Sequence, residues 1–432
     1  MTLRAGTAKV AITPPIGVEL AGYSFGPSLG ILNDLEAQAL VLESRNGSVA
    51  IVTADLLMFS SDFVARVKRR VEAKLGIPIH HILLSASHTH SSPTAMALRQ
   101  WGSIDETYLC TLEASLVGVI TLAQRNSQEA RLGLGLGRVE NISENRRGIQ
   151  EIFDPTVPLL RFDGTTGQPI AVLFNFGCHP VSLHSYRNLI SPDYPGYARQ
   201  VIQDVLGQDV IVMFTLGTAG DINPAGYVAG QTTPQRSRQI GAILGCEVAK
   251  IALDPLFQSD PVLRVTWTVL DLPVEPLPPT VELEEIRDHF ATEAERLRAK
   301  GASWAEVSVC EIKRDWAADC LQAWERGQVQ HAVPCEVLAI RLGDAALIAA
   351  PLEIFTKTGL AIKGESPAKV TLISSNSNGA VGYLPTQDAY QESDYTNPQG
   401  LAPKVYGLYA LASGAESLFR QEAIRLLKEL FR

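Results

Sequence analysis

Two histidines separated by one residue, His88 and His90, stand at the end of a segment, residues 80–88, that has the apolar character of a buried β-strand. Alternate residues of a strand face the same side, so this spacing predicts that both imidazoles converge on one point. Converging neutral imidazoles suit Zn²⁺, which readily takes nitrogen ligands. The motif by itself fits equally well a polar strand end with hydrogen-bonded histidines.

Two further strand ends carry metal-ligand residue types. His179 follows the apolar segment 168–176, and Glu353 follows the apolar hairpin 336–351. A lone histidine at such a place more often has a structural role than a metal-binding one. A glutamate there can instead interact favourably with the dipole of a following helix. A buried carboxylate otherwise needs a partner or a metal. Because the chain has eight histidines in all, three of them at two strand ends favour a metal site.

A glycine-rich loop follows another apolar segment. Residues 217–224 contain two glycines with Asp221 and Asn223. Such a loop lets backbone approach a ligand closely and can direct N–H groups toward an anion. The alternative is a tight turn closed by its own side-chain hydrogen bonds. We also expect Asp55 or Asp221 to orient a ligand imidazole.

Short β-branched segments alternate with amphipathic ones along the chain, which predicts an α/β (α+β) fold with mixed, layered β-sheets flanked by helices. A Pro-rich stretch and two charged helices set residues of about 275–330 apart as a helical excursion, with helices near 281–326, within one catalytic domain, 1–432. The predicted strands are 47–55, 80–88, 131–140, 168–176, 209–217, 263–272, the hairpin 336–351 and 369–376; the predicted helices are 61–75, 106–124, 195–206, 233–252, 281–299, 303–326 and 405–431.

Composition limits the partners. A net charge of −9 argues against nucleic acid, whose phosphates need a basic face. No stretch approaches the ~18 apolar residues of a spanning helix, so we expect no stable membrane insertion. Six scattered cysteines without a C-x-x-C pair, and an N-terminus without an apolar signal segment, predict a cytoplasmic protein. The expected partner is a small-molecule substrate.

Taken together, these segments resemble the catalytic domain of the neutral/alkaline (non-lysosomal) ceramidase family. The matching segments run in the family's order over nearly the whole chain: AITPPIGVELAGY, VTADLLMFS, ASHTHSSP, NRR, CHPVSL, TAGDINP, PLEIFTKTG and GYLPTQDAYQESDY. The resemblance implies an α/β catalytic domain, and we expect it to occur here without the family's C-terminal immunoglobulin-like domain.

The resemblance also implies the site. One zinc ion per chain would be held by four ligands, namely His88, His179, Glu353 and Tyr383. His90 would protonate the leaving group while water activated by the metal attacks an amide or ester carbonyl. Arg146, with the loop around Gly220, would stabilise the developing charge.

One departure bears on the substrate. The loop that holds Asp221 has Asn223 where the family has a serine with a catalytic role, and an asparagine cannot act as the nucleophile. We therefore expect a soluble amide, ester or lactone rather than ceramide. Two alternatives stay open: a catalytically inactive binding protein with the same pocket, and an amidohydrolase-type metalloenzyme, although that class has its H-x-H motif on the first strand of a barrel.

Overall fold

Two β-sheets that pack face to face, with helices on their outer sides, build the framework of the protein. The computed structural model describes residues 3–22, 26–149, 151–186, 188–391 and 396–432. Within these residues the strands are β1 Arg4–Ala11, β2 Gly30–Ile31, β3 Glu36–Ser44, β4 Gly47–Ala54, β5 Ile82–Ala86, β6 Gln128–Arg138, β7 Ser143–Asn145, β8 Thr156–Gly164, β9 Pro169–Phe176, β10 Leu189–Ile190, β11 Ile211–Leu216, β12 Ile222–Pro224, β13 Leu256–Phe257, β14 Leu263–Pro273, β15 Ala332–Leu342, β16 Ala345–Ala349, β17 Leu352–Ile354, β18 Val370–Ser374 and β19 Gly382–Leu384. The α-helices are α1 Ser61–Leu75, α2 Glu106–Arg125, α3 Tyr194–Leu206, α4 Pro234–Leu253, α5 Thr280–Ala299, α6 Trp304–Glu325, α7 Thr356–Glu365, α8 Ala402–Tyr406 and α9 Ala415–Leu430.

Both main sheets are mixed. The large sheet has the order β11-β9-β8-β6-β1-β3-β4-β5, with β13 beside β6, and its two end pairs, β11–β9 and β4–β5, are parallel. The small sheet has the order β14-β15-β16-β18, and only β16–β18 is parallel. The strand ends that precede the histidine and glutamate motifs therefore lie in both sheets.

The apolar face of each strand explains the layers. One buried cluster joins the large sheet to the small sheet, for example through Leu40, Leu173 and Ile340. The outer face of the large sheet packs against α1 and α2 at one end and against α3 and α4 at the other. Helix α9 covers the outer face of the small sheet. Strands β4, β9 and β16 are buried on both faces over most of their length and read as nearly continuous apolar runs.

The predicted fold class is confirmed, and the two-sheet sandwich excludes the barrel of the amidohydrolase alternative. Several predicted bounds differ from the observed ones by a few residues, and two of the differences change the local structure. The helix predicted over 405–431 is two helices, α8 and α9. Gly407 and Gly414 stand at the ends of the segment between them, and Leu411 within that segment forms a β-bridge with Val274. The strand predicted over 80–88 ends at Ala86, and His88 has a left-handed backbone with φ of 69°.

The helical excursion is a hairpin of α5 and α6 inserted between two neighbouring strands. Strands β14 and β15 pair along their whole length, from Leu263 with Leu342 to Pro273 with Ala332. Helix α6 begins with a capping box, in which Ser303 and Glu306 satisfy each other's backbone N–H groups. The excursion therefore leaves and returns to the sheet without interrupting it.

One described helix, α2, is long and apolar enough to cross a membrane by length and composition, contrary to the sequence expectation. Core helices pass the same test, so the indication is weak. In this fold Leu112, Leu116 and Ile120 of α2 are buried in the cluster that α2 forms with the large sheet.

Candidate metal centre and cavity

His88 is fixed by the loop that follows β4. Its backbone N–H donates to the Leu56 carbonyl at 2.8 Å, and its Nδ1 lies 2.9 Å from the Leu57 carbonyl oxygen. Since Nδ1–H donates to that carbonyl, the lone pair of the neutral ring is on Nε2. The expectation that strand alternation aligns the two histidines was wrong, because the left-handed backbone at His88 turns the chain after β5 has ended.

His179 is held in the same way from the other end of the large sheet. It follows β9, and both its backbone N–H and its Nδ1 lie 3.0 Å from the carbonyl oxygen of Ile222. Its Nε2 is thereby directed away from β12. Each of the two imidazoles is thus oriented by a backbone carbonyl, which fixes the ring and the tautomer.

Glu353 joins the two histidines. Its Oε2 lies 3.3 Å from His88 Nε2 and 3.1 Å from His179 Nε2, and the residue is 2% exposed. Its Oε1 is buried, and the Tyr383 phenol is a hydrogen-bonding neighbour of the same carboxylate. Tyr383 is the register partner of Glu353 in the parallel pair β17–β19, so these two predicted ligands share one backbone platform.

His90 belongs to the same cluster. Its Nε2 lies 3.4 Å from His88 Nε2, and ligand atoms of His88, His90 and His179 all lie within 4.8 Å of one another. The structure thus brings His90 beside the three residues expected to bind metal. Within the described residues, His88, His90 and His179 form a group of three side chains that lie close enough together to hold one metal ion.

The electrostatics favour a bound cation. Burial lowers the pKa of both His90 and His179, and the histidine charges around His90 lower its pKa further. Burial would raise the pKa of Glu353, but His88 and His179 outweigh it and hold that pKa well below the usual range. Burial therefore favours neutral imidazoles at His90 and His179, and Glu353 is held as an ionised carboxylate; these are protonation states in which such groups bind a metal.

These observations fit a zinc-type site, since nitrogen and oxygen donors converge and the histidines have backbone partners that orient them. Tyr383 fits less well. Burial, with the charge of Glu353, raises the pKa of its phenol although Arg146 opposes this, so the group holds its proton. The rings of Tyr383 and His179 lie nearly parallel, with centroids 6.5 Å apart.

The cluster opens into a cavity of about 440 Å³. His90 and His179 reach its surface, whereas His88 and Glu353 are not among the lining residues. The described lining residues are Gly22, His90, Trp101, Arg146, His179, Val181, His184, Asn223, Tyr227, Trp304, Ala305, Ser308, Val309, Ile312, Tyr383, Leu401 and Tyr406. Among these lining residues, Arg146 is the one with a permanent positive charge, and none is an aspartate or a glutamate.

Arg146 is placed between the glycine-rich loop and Tyr383. Its backbone N–H donates to the Asp221 carbonyl at 2.9 Å, its guanidinium donates to the Gly220 carbonyl, and Cζ lies 5.2 Å from the Tyr383 ring centroid. We expected the loop around Gly220 to stabilise an oxyanion, but the backbone N–H of Gly220 is not available for that role. The N–H of Gly220 donates to the Ile354 carbonyl at 2.9 Å, so it is already used.

Asp221 and Asp55 have structural partners instead of a histidine. Asp221 Oδ1 accepts from the backbone N–H and hydroxyl of Thr356, both at 2.8 Å, and Oδ2 accepts from Asn145. Asp55 forms a two-pronged ion pair with Arg199 at 2.7 and 2.6 Å. The prediction that one of them orients a ligand imidazole was therefore wrong, because backbone carbonyls occupy both Nδ1 positions.

Asn223 lies on β12 and lines the cavity, as expected for a loop residue with access to a ligand. Sequence reasoning missed His184 and Tyr227, whose Nδ1 and hydroxyl lie 3.4 Å apart at the cavity wall. It also missed the wall contributed by α6. The last four residues of the GYLPTQDAYQESDY segment, 392–395, and Tyr23 of the AITPPIGVELAGY segment lie outside the described residues.

The fold and the site together define a class of protein. It is a two-sheet α/β protein in which a buried cluster of histidines and a carboxylate, of a type that can bind metal, lies at a cavity. The sequence pattern of the neutral/alkaline non-lysosomal ceramidases, N-terminal part, matches residues 3–239, more than half of the chain. The chain belongs to this family. Membership supports a hydrolase that acts on an amide bond.

The relatives agree. The neutral ceramidase of Pseudomonas aeruginosa is 23% identical over 99% of this chain and 72% of that protein. Neutral ceramidase A of Dictyostelium discoideum is 26% identical over 51% of this chain and 35% of its own length. The crystal structure of the Pseudomonas aeruginosa neutral ceramidase superposes with a TM-score of 0.76 at 19% identity, covering 100% of this chain and 74% of that one. At this identity, the last likeness shows the fold alone.

Proposed function

We propose that this protein is a zinc-dependent hydrolase that cleaves an amide bond, or a related ester or lactone, in a small molecule. The observation that supports this most strongly is the meeting of His88, His179 and Glu353. The Nε2 atoms of both histidines lie within 3.3 Å of Glu353 Oε2, and all three side chains are buried. Such a set of donors is costly to bury unless a cation completes it.

In this proposal the residues divide the work. When bound, the metal ion supplies Lewis acidity, which activates water and polarises a carbonyl group. His88, His179 and Glu353 hold it, with Tyr383 as a further candidate ligand. His90, which reaches the cavity surface, takes a proton from the attacking water and delivers it to the leaving nitrogen. Arg146 is the cation nearest to the charge that develops on the carbonyl oxygen.

The presence of Asn223 favours a mechanism in which water, and not a side chain of the protein, is the nucleophile. It lines the cavity beside Arg146 and His179, where its amide can hydrogen-bond to a substrate but cannot form an acyl intermediate. We therefore propose that Asn223 positions the substrate.

A tight contact beneath His90 provides a sharp test of that residue's role. Gly22 has a φ of 93°, and a Cβ there would lie 2.4 Å from His90 Nδ1. We expect Gly22→Ala to displace the imidazole and lower kcat on the order of 10²-fold, because catalytic geometry tolerates little error. The measurement is steady-state turnover of the best amide or ester substrate.

Gly17→Ala is the matched control for that variant. Gly17 has a φ of 103°, and a Cβ there meets nothing within 4 Å. It therefore has the same backbone strain without the contact. Equal losses of kcat in the two variants would show that strain alone, not His90, is responsible.

Long-chain ceramide is not expected to be the best substrate. Asn223 replaces the serine to which the family resemblance assigns a catalytic role, and aromatic and aliphatic side chains limit the cavity. We expect soluble N-acyl amides or esters to be hydrolysed faster than ceramide when both are assayed with zinc present. A kcat/KM for ceramide above about 10⁴ M⁻¹s⁻¹ that exceeds every soluble substrate would contradict this.

The same assay separates the proposal from the inactive alternative. A protein that binds the soluble amides but hydrolyses none of them would be a binding protein that has the same pocket. The predicted cytoplasmic location remains a prediction.

A further inference from the structure

The N-terminal half of α6 forms one wall of the cavity. Ala305, Ser308, Val309 and Ile312 all line it, and their spacing of three, four and seven residues places them on one face of the helix. Trp304 lines the cavity at the start of the same helix. The helical excursion therefore supplies side chains to the space that His90 and His179 also reach.

This wall is anchored at several points. Arg99 donates to Asp319 of α6 at 2.9 and 2.6 Å. The indole Nε1–H of Trp316 donates to the Leu408 carbonyl at 2.9 Å. Because these contacts fix the middle of α6 to the rest of the chain, its lining face has a set distance from the histidines.

The wall and the histidine loop also share one apolar cluster. Ile312 is fully buried in a cluster that contains Leu57 and Met58. The carbonyl of Leu57 is the partner of His88 Nδ1. The apolar cluster therefore connects the wall formed by α6 with the loop that orients His88.

The chemistry of the wall selects an apolar group. Its side chains are small or aliphatic, and the Ser308 hydroxyl donates to the Ala305 carbonyl at 3.1 Å, within its own helix. From Ala305 to Ile312 the helix rises about 10 Å. That length suits an apolar group of medium length rather than a long lipid chain.

We propose that α6 is the specificity determinant of this protein and that its lining face binds a medium-length apolar part of the substrate. This rests on the proposed function, in which the histidine–glutamate cluster acts on the adjoining carbonyl. Each methylene that the wall buries improves affinity about fourfold. Affinity therefore rises with chain length until the wall is covered and then stops rising.

Isothermal titration of the zinc-supplemented protein with straight-chain carboxylates tests this. The probes are acetate, butyrate, octanoate and hexadecanoate. We expect affinity to rise from acetate to octanoate and to rise no further to hexadecanoate. In Ala305→Trp, which fills the space beside the wall at an exposed helix position, octanoate should bind at least about tenfold more weakly while acetate binds unchanged.

Ala318→Trp is the control, because Ala318 is an exposed alanine of the same helix that does not line the cavity. It should bind every probe as the wild type does, and equal melting temperatures should show that both variants fold. Affinity independent of chain length in the wild type, or an Ala305→Trp profile identical to the wild type, would overturn the inference. Failure to hydrolyse any amide, with the binding profile as expected, would overturn only the proposed function.

Discussion

Replacing His179 or His88 with alanine should remove the metal and reduce hydrolysis to background. Both Nε2 atoms lie within 3.3 Å of one carboxylate oxygen, so each variant loses a donor at the centre of the cluster. Removing an outer partner of a metal ligand commonly costs 10–100-fold in affinity or activity, so loss of a ligand should cost more than about 100-fold in both. The measurements are zinc content after dialysis and turnover.

His289→Ala serves as the control, because His289 is an exposed histidine of α5 far along the chain from the cluster. It should keep its zinc and its full turnover. Retention of one zinc by the His88 or His179 variant would show that the ion binds elsewhere. A lower melting temperature without loss of zinc would point to a structural role.

Replacing His90 with alanine should leave the metal in place and lower kcat by about 10²–10⁴-fold, the usual contribution of general acid–base catalysis. His90 is 8% exposed and lines the cavity, whereas His88 is completely buried and does not. His179 also lines the cavity but is 2% exposed, so His90 is the most exposed histidine of the cluster and the one best placed to meet a substrate. Zinc content and kcat, measured on one preparation, separate the two effects.

The outcome that contradicts this assignment is specific. His90 Nε2 lies only 3.4 Å from His88 Nε2, so His90 has the geometry of a ligand as well. If His90→Ala loses zinc and His88→Ala keeps it, the two roles are exchanged. If both lose zinc, the metal is bound by the three histidines.

The sequence predicted the fold class well because local and tertiary preferences agree. Helix α1 was predicted to the residue, since Ser60 caps it, its apolar residues recur at helical spacing and Gly76 ends it in a left-handed conformation. The helix predicted over 405–431 failed because a long-range bridge at Leu411 overrides local helix propensity. Such pairings have no local sequence signal.

The site was predictable in its members but not in its geometry. His88, His90, His179 and Glu353 are brought together as expected, because each follows an apolar strand. The partners of their side chains were not predictable. Asp221 looked like an orienting carboxylate, yet the fold gives it the N–H of Thr356, while the Ile222 carbonyl orients His179. Backbone partners depend on the approach of distant segments and have no residue signature.

Metal analysis of the protein purified without added metal tests the central claim most directly. The account predicts about one equivalent of zinc per chain, loss of hydrolysis when a chelator removes it, and recovery of both on adding zinc back. A metal content near zero in protein that also takes up no zinc on titration would contradict it.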